Sequence, residues 1–223
     1  MRLRFFAAIF ALVLGLQSAW IIAAELLRPQ LPYFPKTDAE AQVTAAALSA
    51  AETSAAIGWP RGDLSVEYAL ALNAPILAAL ENGAPIAAIR AQKNSLAATE
   101  GAAALSPSDA RAWLMLAAAA SVSGPRTVRP LAPLKMSYYT SPYNDALFPI
   151  RLALAVQPAN RPGDELQGLV VDEIARWLRA HPGQKQPIVQ AYRHASPAGR
   201  ALLETSIGGI DAKLASELQT TIH

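Results

Sequence analysis

A run of 20 residues without a charged side chain, residues 5–24, lies near the start of the chain and constrains its fold more than any other feature. Only Gly15, Gln17 and Ser18 interrupt its apolar character. Because an α-helix rises about 1.5 Å per residue, the run forms a helix about 30 Å long, which matches the hydrocarbon core of a bilayer. The sequence therefore predicts that residues 1–27 form a signal anchor, which is a transmembrane helix that stays in the mature protein.

The charges beside this run predict its orientation. Arg2 and Arg4 precede it, whereas Glu25 and Arg28 nearly cancel each other just after it. The positive-inside rule then keeps the amino terminus in the cytoplasm and sends the rest of the chain across the membrane. The alternative is a cleaved signal peptide, but cleavage before Glu25 would place Ile22 at the −3 position, where a small residue is usual. Both interpretations export the remainder of the chain.

The proline-rich segment 28–36 predicts a linker between the anchor and a folded domain. Three prolines among residues 28–35 keep such a segment extended and fairly stiff. We therefore expect a spacer that holds the domain away from the membrane. Tyr33 and Phe34 either rest among the lipid headgroups or pack on the domain.

The composition indicates an all-α fold. The chain of 223 residues has 48 alanines and only 12 glycines, which favours closely packed helices. Its 17 prolines require that these helices be short or kinked. It has no cysteine, which excludes disulfides and thiolate metal sites.

Two stretches 35 residues apart suggest a repeated helical hairpin. SPSDARAWLMLA starts at Ser106 and SPYNDALFPIRLALA starts at Ser141. The matching positions are Ser106-Pro107 with Ser141-Pro142, Asp109 with Asn144, and Trp113 with Phe148. A period near 34 residues is typical of tetratricopeptide (TPR) hairpins, although the full TPR consensus is absent. The sequence predicts a degenerate TPR-like array over residues 37–157 and an irregular helical end over 158–223, with Trp113 and Phe148 in equivalent inward positions.

Three segments carry a family resemblance: GWPRGDLSVEYALAL (58–72), ALSPSDARAWLMLA (104–117) and LKMSYYTSPYNDALFPIRLALA (134–155). Together they resemble the membrane-anchored, TPR-like proteins of alphaproteobacteria that accompany polysaccharide biosynthesis genes. The resemblance implies a single-pass protein of the bacterial inner membrane, with a periplasmic helical scaffold that acts in envelope polysaccharide production. It implies no catalytic residue.

No catalytic pattern stands out in the sequence. The three histidines lie on separate predicted elements without a metal-ligand partner at i+4. The adjacent carboxylates Asp164-Glu165 and Asp172-Glu173 point to different sides of a helix and cannot face each other as acid and base. An exported chain with a net charge of +2 and no recognisable module gives no reason to expect nucleic acid. We expect no enzyme activity, no cofactor and no metal.

The tyrosines near the second stretch are the candidate partner-binding residues. Neighbours on a helix differ by about 100° around its axis, so Tyr138 and Tyr139 cannot both be buried on one face. The candidate set is Tyr138, Tyr139, Tyr143, Lys135 and Arg151.

The charge distribution leaves a second kind of partner open. Residues 37–124 carry a net charge of −4 and residues 125–200 carry +5. A basic surface around Arg126, Arg129, Lys135 and Arg151 would suit an anionic glycan or lipid, although scattered solvated arginines explain the same composition. Three functions therefore stay open: a scaffold for protein partners, an accessory subunit of an inner-membrane complex that binds through the anchor helix, and a module that binds an acidic glycan or lipid.

Overall fold

Twelve α-helices and one short 3-10 helix make up most of the computed structural model, which describes residues 2–35, 37–82, 94–123, 129–157 and 163–220. No strand occurs among these residues, so the predicted all-α class is confirmed for them. The first six helices are α1 (Arg2–Leu26), α2 (Asp38–Ala46), α3 (Leu48–Ile57), α4 (Gly62–Glu81), α5 (Ser95–Leu105) and α6 (Ala110–Ser123). The others are α7 (Leu131–Thr140), the 3-10 helix (Asp145–Leu147), α8 (Phe148–Ala155), α9 (Asp164–Ala180), α10 (Gln186–His194), α11 (Pro197–Gly208) and α12 (Ala212–Thr220).

Helix α1 is long and apolar enough to span a bilayer. The most apolar stretch of 18 residues within Arg4–Leu26 has a mean hydropathy of 2.2 and contains no buried residue. Helix α4 also has the necessary length and composition, but 61% of its corresponding stretch is buried inside the domain. Of these two helices, only α1 presents its apolar surface outside the domain.

The last turns of α1 pack directly on α3. The indole Nε1 of Trp20 donates to the carbonyl oxygen of Ile57 at 2.5 Å, and Ser54 Oγ donates to the carbonyl oxygen of Ala24 at 2.9 Å. Ala24 is fully buried. Gly58, which follows α3, has no room for a side chain, because a Cβ there would overlap the Leu64 side chain of α4 and lie 3.3 Å from the Ala24 Cβ of α1. Side-chain contacts therefore fix the helical domain to the end of α1.

The proline-rich segment after α1 is extended, but it lies along the domain. Arg28 Nε is 3.0 Å from both carboxylate oxygens of Glu67 in α4. Phe34 is 3% exposed and belongs to the hydrophobic core. The guanidinium of Arg111 stands 4.5 Å from the centre of the Tyr33 ring. The segment is thus a strap on the domain surface and, contrary to our expectation, not a free spacer.

Three helices form the centre of the domain, since α4, α6 and α8 all pack on one another. Helix α10 packs on α8. Helix α5 packs on α4 and α6, α7 packs on α6 and α8, and α9 packs on α8 and α11. Buried alanines at positions 117–120 of α6 let its neighbours approach closely. The alanine-rich composition thus serves close helix packing.

Three turns of one form connect α5 to α6, α7 to the 3-10 helix, and α9 to α10. Each starts at a residue that precedes proline: Ser106 (φ −133°, ψ 66°), Ser141 (φ −154°, ψ 76°) and His181 (φ −131°, ψ 62°). A following proline disfavours the helical conformation, which is why each helix stops there. The sequence predicts a helix end at each of the three, but the pattern Ser-Pro-x-Asp/Asn pairs only the first two, because His181-Pro-Gly-Gln has no serine and no Asp or Asn.

The polar residue at the end of the first two turns has the same role in both. The Arg111 amide donates to Asp109 Oδ1 at 2.9 Å, and the Ala146 amide donates to Asn144 Oδ1 at 3.1 Å. A short side-chain oxygen of this kind satisfies a backbone donor that the start of a helix leaves unpaired. The sequence match of Asp109 with Asn144 therefore reflects matching local geometry.

The match does not extend to the aromatic residues. Phe148 is fully buried and stacks on Trp177, with ring centres 4.5 Å apart and planes 20° apart. Trp113 is only partly buried, and its Nε1 donates to the carbonyl oxygen of Pro107 at 2.7 Å. A 3-10 helix lies between the second turn and α8, whereas the first turn leads directly into α6. Phe148 is therefore the first residue of α8, while Trp113 is the fourth residue of α6. Contrary to the prediction, the two rings do not occupy equivalent positions.

The ends of other helices follow local capping rules. The Glu40 amide donates to Thr37 Oγ1 at 3.2 Å, so Thr37 caps the start of α2. The Gly199 amide donates to Ser196 Oγ at 3.0 Å at the start of α11. Asp211 accepts from the Leu214 amide at 2.9 Å at the start of α12.

Candidate functional site

The five predicted partner-binding residues divide among three environments. Tyr138 and Arg151 are buried, Tyr139 and Lys135 lie together at the surface between α7 and α9, and Tyr143 projects from the second turn. Tyr138 is thus buried and Tyr139 exposed, as expected for neighbours that differ by about 100° around a helix axis.

Arg151 is the centre of a buried polar cluster. Its side chain is completely inaccessible, and its Nη1 is 3.0 Å from Glu173 Oε1, which is 2% exposed. It also donates to Ser137 Oγ at 2.9 Å and to the carbonyl oxygen of Ser141 at 3.0 Å, and it stands 4.6 Å from the Tyr138 ring centre. The prediction that Arg151 and Tyr138 contact a partner is wrong, because both pack inside the domain.

Burial shifts the acid–base behaviour of this cluster. It raises the pKa of Glu173, and the positive charge of Arg151 opposes that shift. Burial also raises the pKa of Tyr138 well above its ordinary value, and the nearby Glu173 adds to the shift. Tyr138 is therefore uncharged, and the Arg151–Glu173 pair holds α8 and α9 together from within.

Lys135, Tyr139 and Glu165 form what we call the α7/α9 surface. Lys135 Nζ is 2.9 Å from Glu165 Oε2, and the Tyr139 hydroxyl donates to the other oxygen of the same carboxylate. Tyr139 is 49% exposed, and the Lys135 ammonium lies 5.7 Å from its ring centre. An open cleft adjoins them, lined by Leu131, Ala132, Lys135, Gly163, Asp164, Glu165 and Leu166. The surface therefore combines an exposed ring with balanced charges beside a groove.

Tyr143 belongs to a different part of the molecule. It is 79% exposed and lies under the guanidinium of Arg176, 5.2 Å from the ring centre. Arg176 Nη1 also donates to the carbonyl oxygen of Pro142 at 2.6 Å. The tyrosine is thus presented by the second turn and is not part of the α7/α9 surface.

The four basic residues expected to form a basic surface are not grouped at one place on the structure. Arg151 is buried, Lys135 is paired with Glu165, and Arg129 is exposed. Arg126 lies outside the described residues. The structure therefore gives no contiguous basic surface from the described members of this set.

The remaining polar groups reveal no reactive arrangement among the described residues. No group of three His, Cys, Asp or Glu side chains is placed to hold a metal ion in this part of the chain. Of the paired carboxylates, Glu165 binds Lys135 and Tyr139 while Glu173 is buried against Arg151. Glu165 and Glu173 therefore each have a structural partner.

Sequence reasoning missed two residues of interest. Glu165 organises the α7/α9 surface from a helix that starts 24 residues after Thr140, and no local pattern predicts that contact. Trp59 is 68% exposed in the turn between α3 and α4. Its place in a Gly-Trp-Pro turn was visible in the sequence, but its proximity to α1 was not.

Comparison with known proteins assigns no family. No protein-family model, no curated protein and no solved structure matches this chain. The resemblance to membrane-anchored TPR-like proteins therefore stays a prediction.

Proposed function

We propose that this chain is a non-enzymatic scaffold of the bacterial inner membrane, tethered by α1, that holds protein partners on a TPR-like helical domain in the periplasm. The resemblance noted above supports envelope polysaccharide production as the process that it serves. The observation that carries the proposal is the α7/α9 surface, an exposed aromatic ring on a rigid helical array that is fixed to an apolar helix.

The anchor and the domain suit a scaffold because they form one rigid unit. The Trp20–Ile57 and Ser54–Ala24 hydrogen bonds set the orientation of the domain relative to α1. A partner bound to the domain would therefore be held at a fixed distance and angle from the membrane. The first two turns support the proposed hairpin array, since α5 packs on α6 across the first and α7 packs on α8 across the second.

The chemistry of the α7/α9 surface suits a protein partner better than a polyanion. A half-exposed tyrosine offers a large and rigid contact with a polar tip, which is common in binding hot spots. Lys135 and Glu165 cancel each other's charge and leave no excess positive charge for an acidic glycan. We therefore place the partner contact at Tyr139 and in the adjoining cleft.

Crosslinking followed by pull-down of the full-length chain from native membranes tests this proposal. Truncation of a hot-spot aromatic costs about 2 kcal/mol or more, which corresponds to about a 30-fold loss of affinity. Tyr139→Ala should therefore lose the crosslinked partner, and Tyr143→Ala, a matched change of an exposed tyrosine elsewhere, should keep it. Equal recovery of the partner by the parent and by Tyr139→Ala would refute the assignment.

A chimaera separates the scaffold from an accessory subunit that binds through its anchor. Replacing residues 5–19 with an unrelated apolar helix preserves Trp20 and Ala24, and hence the contacts with α3. A scaffold keeps its partner in this chimaera. Loss of the partner would instead favour binding through the anchor helix.

A further inference from the structure

Helix α3 runs antiparallel to the end of α1. Trp20 of α1 meets Ile57 at the end of α3, whereas Ala24, one turn later in α1, meets Ser54, nearly one turn earlier in α3. Residue 20 lies about 6 Å along the helix before the end of the apolar run 5–24. The end of α3 therefore lies at the level of the last apolar turn of α1, where a spanning helix meets the headgroups.

The turn that follows α3 exposes an aromatic ring at this level. Trp59 is 68% exposed and is the most exposed of the four tryptophans, and Ile57 beside it is 37% exposed. Charged residues come next: Arg61 is 2.7 Å from Asp63 and 2.9 Å from Glu25, the first charged residue after the apolar run. An indole followed by such ion pairs is the arrangement expected at the boundary between acyl chains and headgroups.

The other turns lie at this same end of the domain. The start of α4 abuts the end of α5, since a Cβ on Gly62 would lie 2.7 Å from the carbonyl carbon of Leu105. In the second turn, Asn144 Nδ2 donates to the hydroxyl of Tyr33 in the strap at 2.8 Å. In the third turn, His181 Nε2 is 3.0 Å from the carboxylate of Asp145, the residue after Asn144. The strap and the three turns are thus contiguous with the end of α1.

Exposed aromatic residues are spread across this end. Tyr143 is 79% exposed and Tyr33 is 49% exposed, and each ring is covered on one side by an arginine. We call Trp59, Tyr33 and Tyr143 the turn-end surface. Tryptophan, tyrosine and arginine together are typical of protein surfaces at the membrane interface.

We infer that the turn-end surface lies on the phospholipid bilayer that α1 enters, with Trp59 at the boundary between the headgroups and the acyl chains. This inference rests on the proposed membrane anchoring of α1 and adds an orientation to it. The strap then runs between the bilayer and the domain, and the helical array stands with its turns on the membrane. Tyr143 becomes a lipid contact, while Tyr139 stays available to a protein.

Site-directed labelling of the full-length chain tests the inference, because the chain has no cysteine and a single introduced one reports only its own position. A fluorophore is attached to Trp59→Cys, or to Ser123→Cys, an exposed position at the far end of α6, about 20 Å along that helix from the first turn. The chain is reconstituted in vesicles of phosphatidylethanolamine and phosphatidylglycerol that carry a nitroxide on the upper acyl chain. We expect the label at position 59 to be quenched at least about twice as strongly as the label at position 123, because only the first lies within the interface.

A second reporter leaves the tryptophan in place. Ala56 is an exposed residue of the last turn of α3, so Ala56→Cys changes little else. Its label should be quenched by the same lipid, and adding Trp59→Asp should weaken that quenching. Quenching that Trp59→Asp leaves unchanged would count against an anchoring role for the indole.

Three other results would overturn the inference, and they are distinguishable. Equal quenching at positions 59 and 123 in vesicles that carry the chain would refute the orientation alone. A label at position 59 that is shielded from both the lipid nitroxide and aqueous iodide would assign the surface to a protein neighbour. A chain that fails to float with the vesicles would refute the membrane anchor as well.

Discussion

Removal of the guanidinium of Arg151 should destabilise the protein strongly. Arg151 and Glu173 are 0% and 2% exposed, and their ion pair is 3.0 Å long. Arg151→Met removes the cation that is hydrogen-bonded to the buried Glu173 carboxylate and leaves only Arg176, 3.6 Å away, to oppose its charge; breaking a buried pair of this kind typically costs about 3–5 kcal/mol. It also removes the donors to the carbonyl oxygens of Ser137 and Ser141 at the end of α7.

The expected loss is large enough to measure by thermal unfolding of the full-length chain in detergent. For a protein of this size, 1 kcal/mol corresponds to about 2–4 °C, so Arg151→Met should lower the Tm by about 6–20 °C. Arg179→Met is the matched control, since Arg179 is exposed and bonds only a carbonyl of its own helix in the described contacts. Its Tm should stay within about 2 °C of the parent.

Two further measurements test the electrostatic reasoning. The double variant Arg151→Met/Glu173→Gln should be less destabilised than the sum of the single variants, because it removes the uncompensated charge. Burial already raises the folded pKa of Glu173, and loss of Arg151 raises it further. A raised folded pKa favours the folded state at low pH, so Arg151→Met should lose less stability at about pH 5 than at about pH 8. An Arg151→Met Tm equal to that of the control, or strictly additive single changes, would refute this account.

Three other predictions concern packing and pH. A Cβ at Gly199 would overlap a backbone oxygen and lie 2.9 Å from a valine Cβ, so Gly199→Ala should cost about 1–3 kcal/mol in urea unfolding. Gly168→Ala, where nothing lies within 4 Å, should instead gain about 0.5–1 kcal/mol, and a loss of similar size at both sites would contradict the packing argument. Phe148→Ala should cost about 3–5 kcal/mol because the ring is fully buried, and Trp113→Ala should cost less in the same assay; the reverse order would be inconsistent with their burial. The hydrogen bond from a lysine lowers the pKa of Asp211 below its ordinary value of 3.8, so its support of α12 is complete above that value and is lost as the pH falls through the lowered folded pKa. Pepsin should therefore release α12 faster at a pH below the lowered folded pKa of Asp211 than at a pH above 3.8. Asp211→Asn has no carboxyl group to titrate at this position, so its release of α12 should be equally fast at the two pH values.

The sequence determined the features that depend on neighbours along the chain. A charge-free run of sufficient length predicts an apolar helix, because inside a bilayer only hydrogen bonds within the helix satisfy the backbone amides and carbonyls. Helix propensity also acts within a few residues, and the all-α class predicted from the alanine content is confirmed for the described residues. The cap at Thr37 is a local effect of the same kind. The turns at Ser106 and Ser141 were also visible, since proline restricts the residue before it wherever the chain lies.

Only the tertiary structure decided which side chains are buried and which surfaces meet. The sequence predicts that Arg151 is a cation at the surface. In the structure it is buried, because Glu173, 22 residues away in the sequence, supplies its counter-charge. The strap carries the prolines of a spacer, yet the core contact of Phe34 holds it down. Trp59 is adjacent to the end of the apolar run only because α3 folds back along α1. Such contacts join residues far apart in sequence, so their energies depend on how whole helices pack, and no local pattern encodes them.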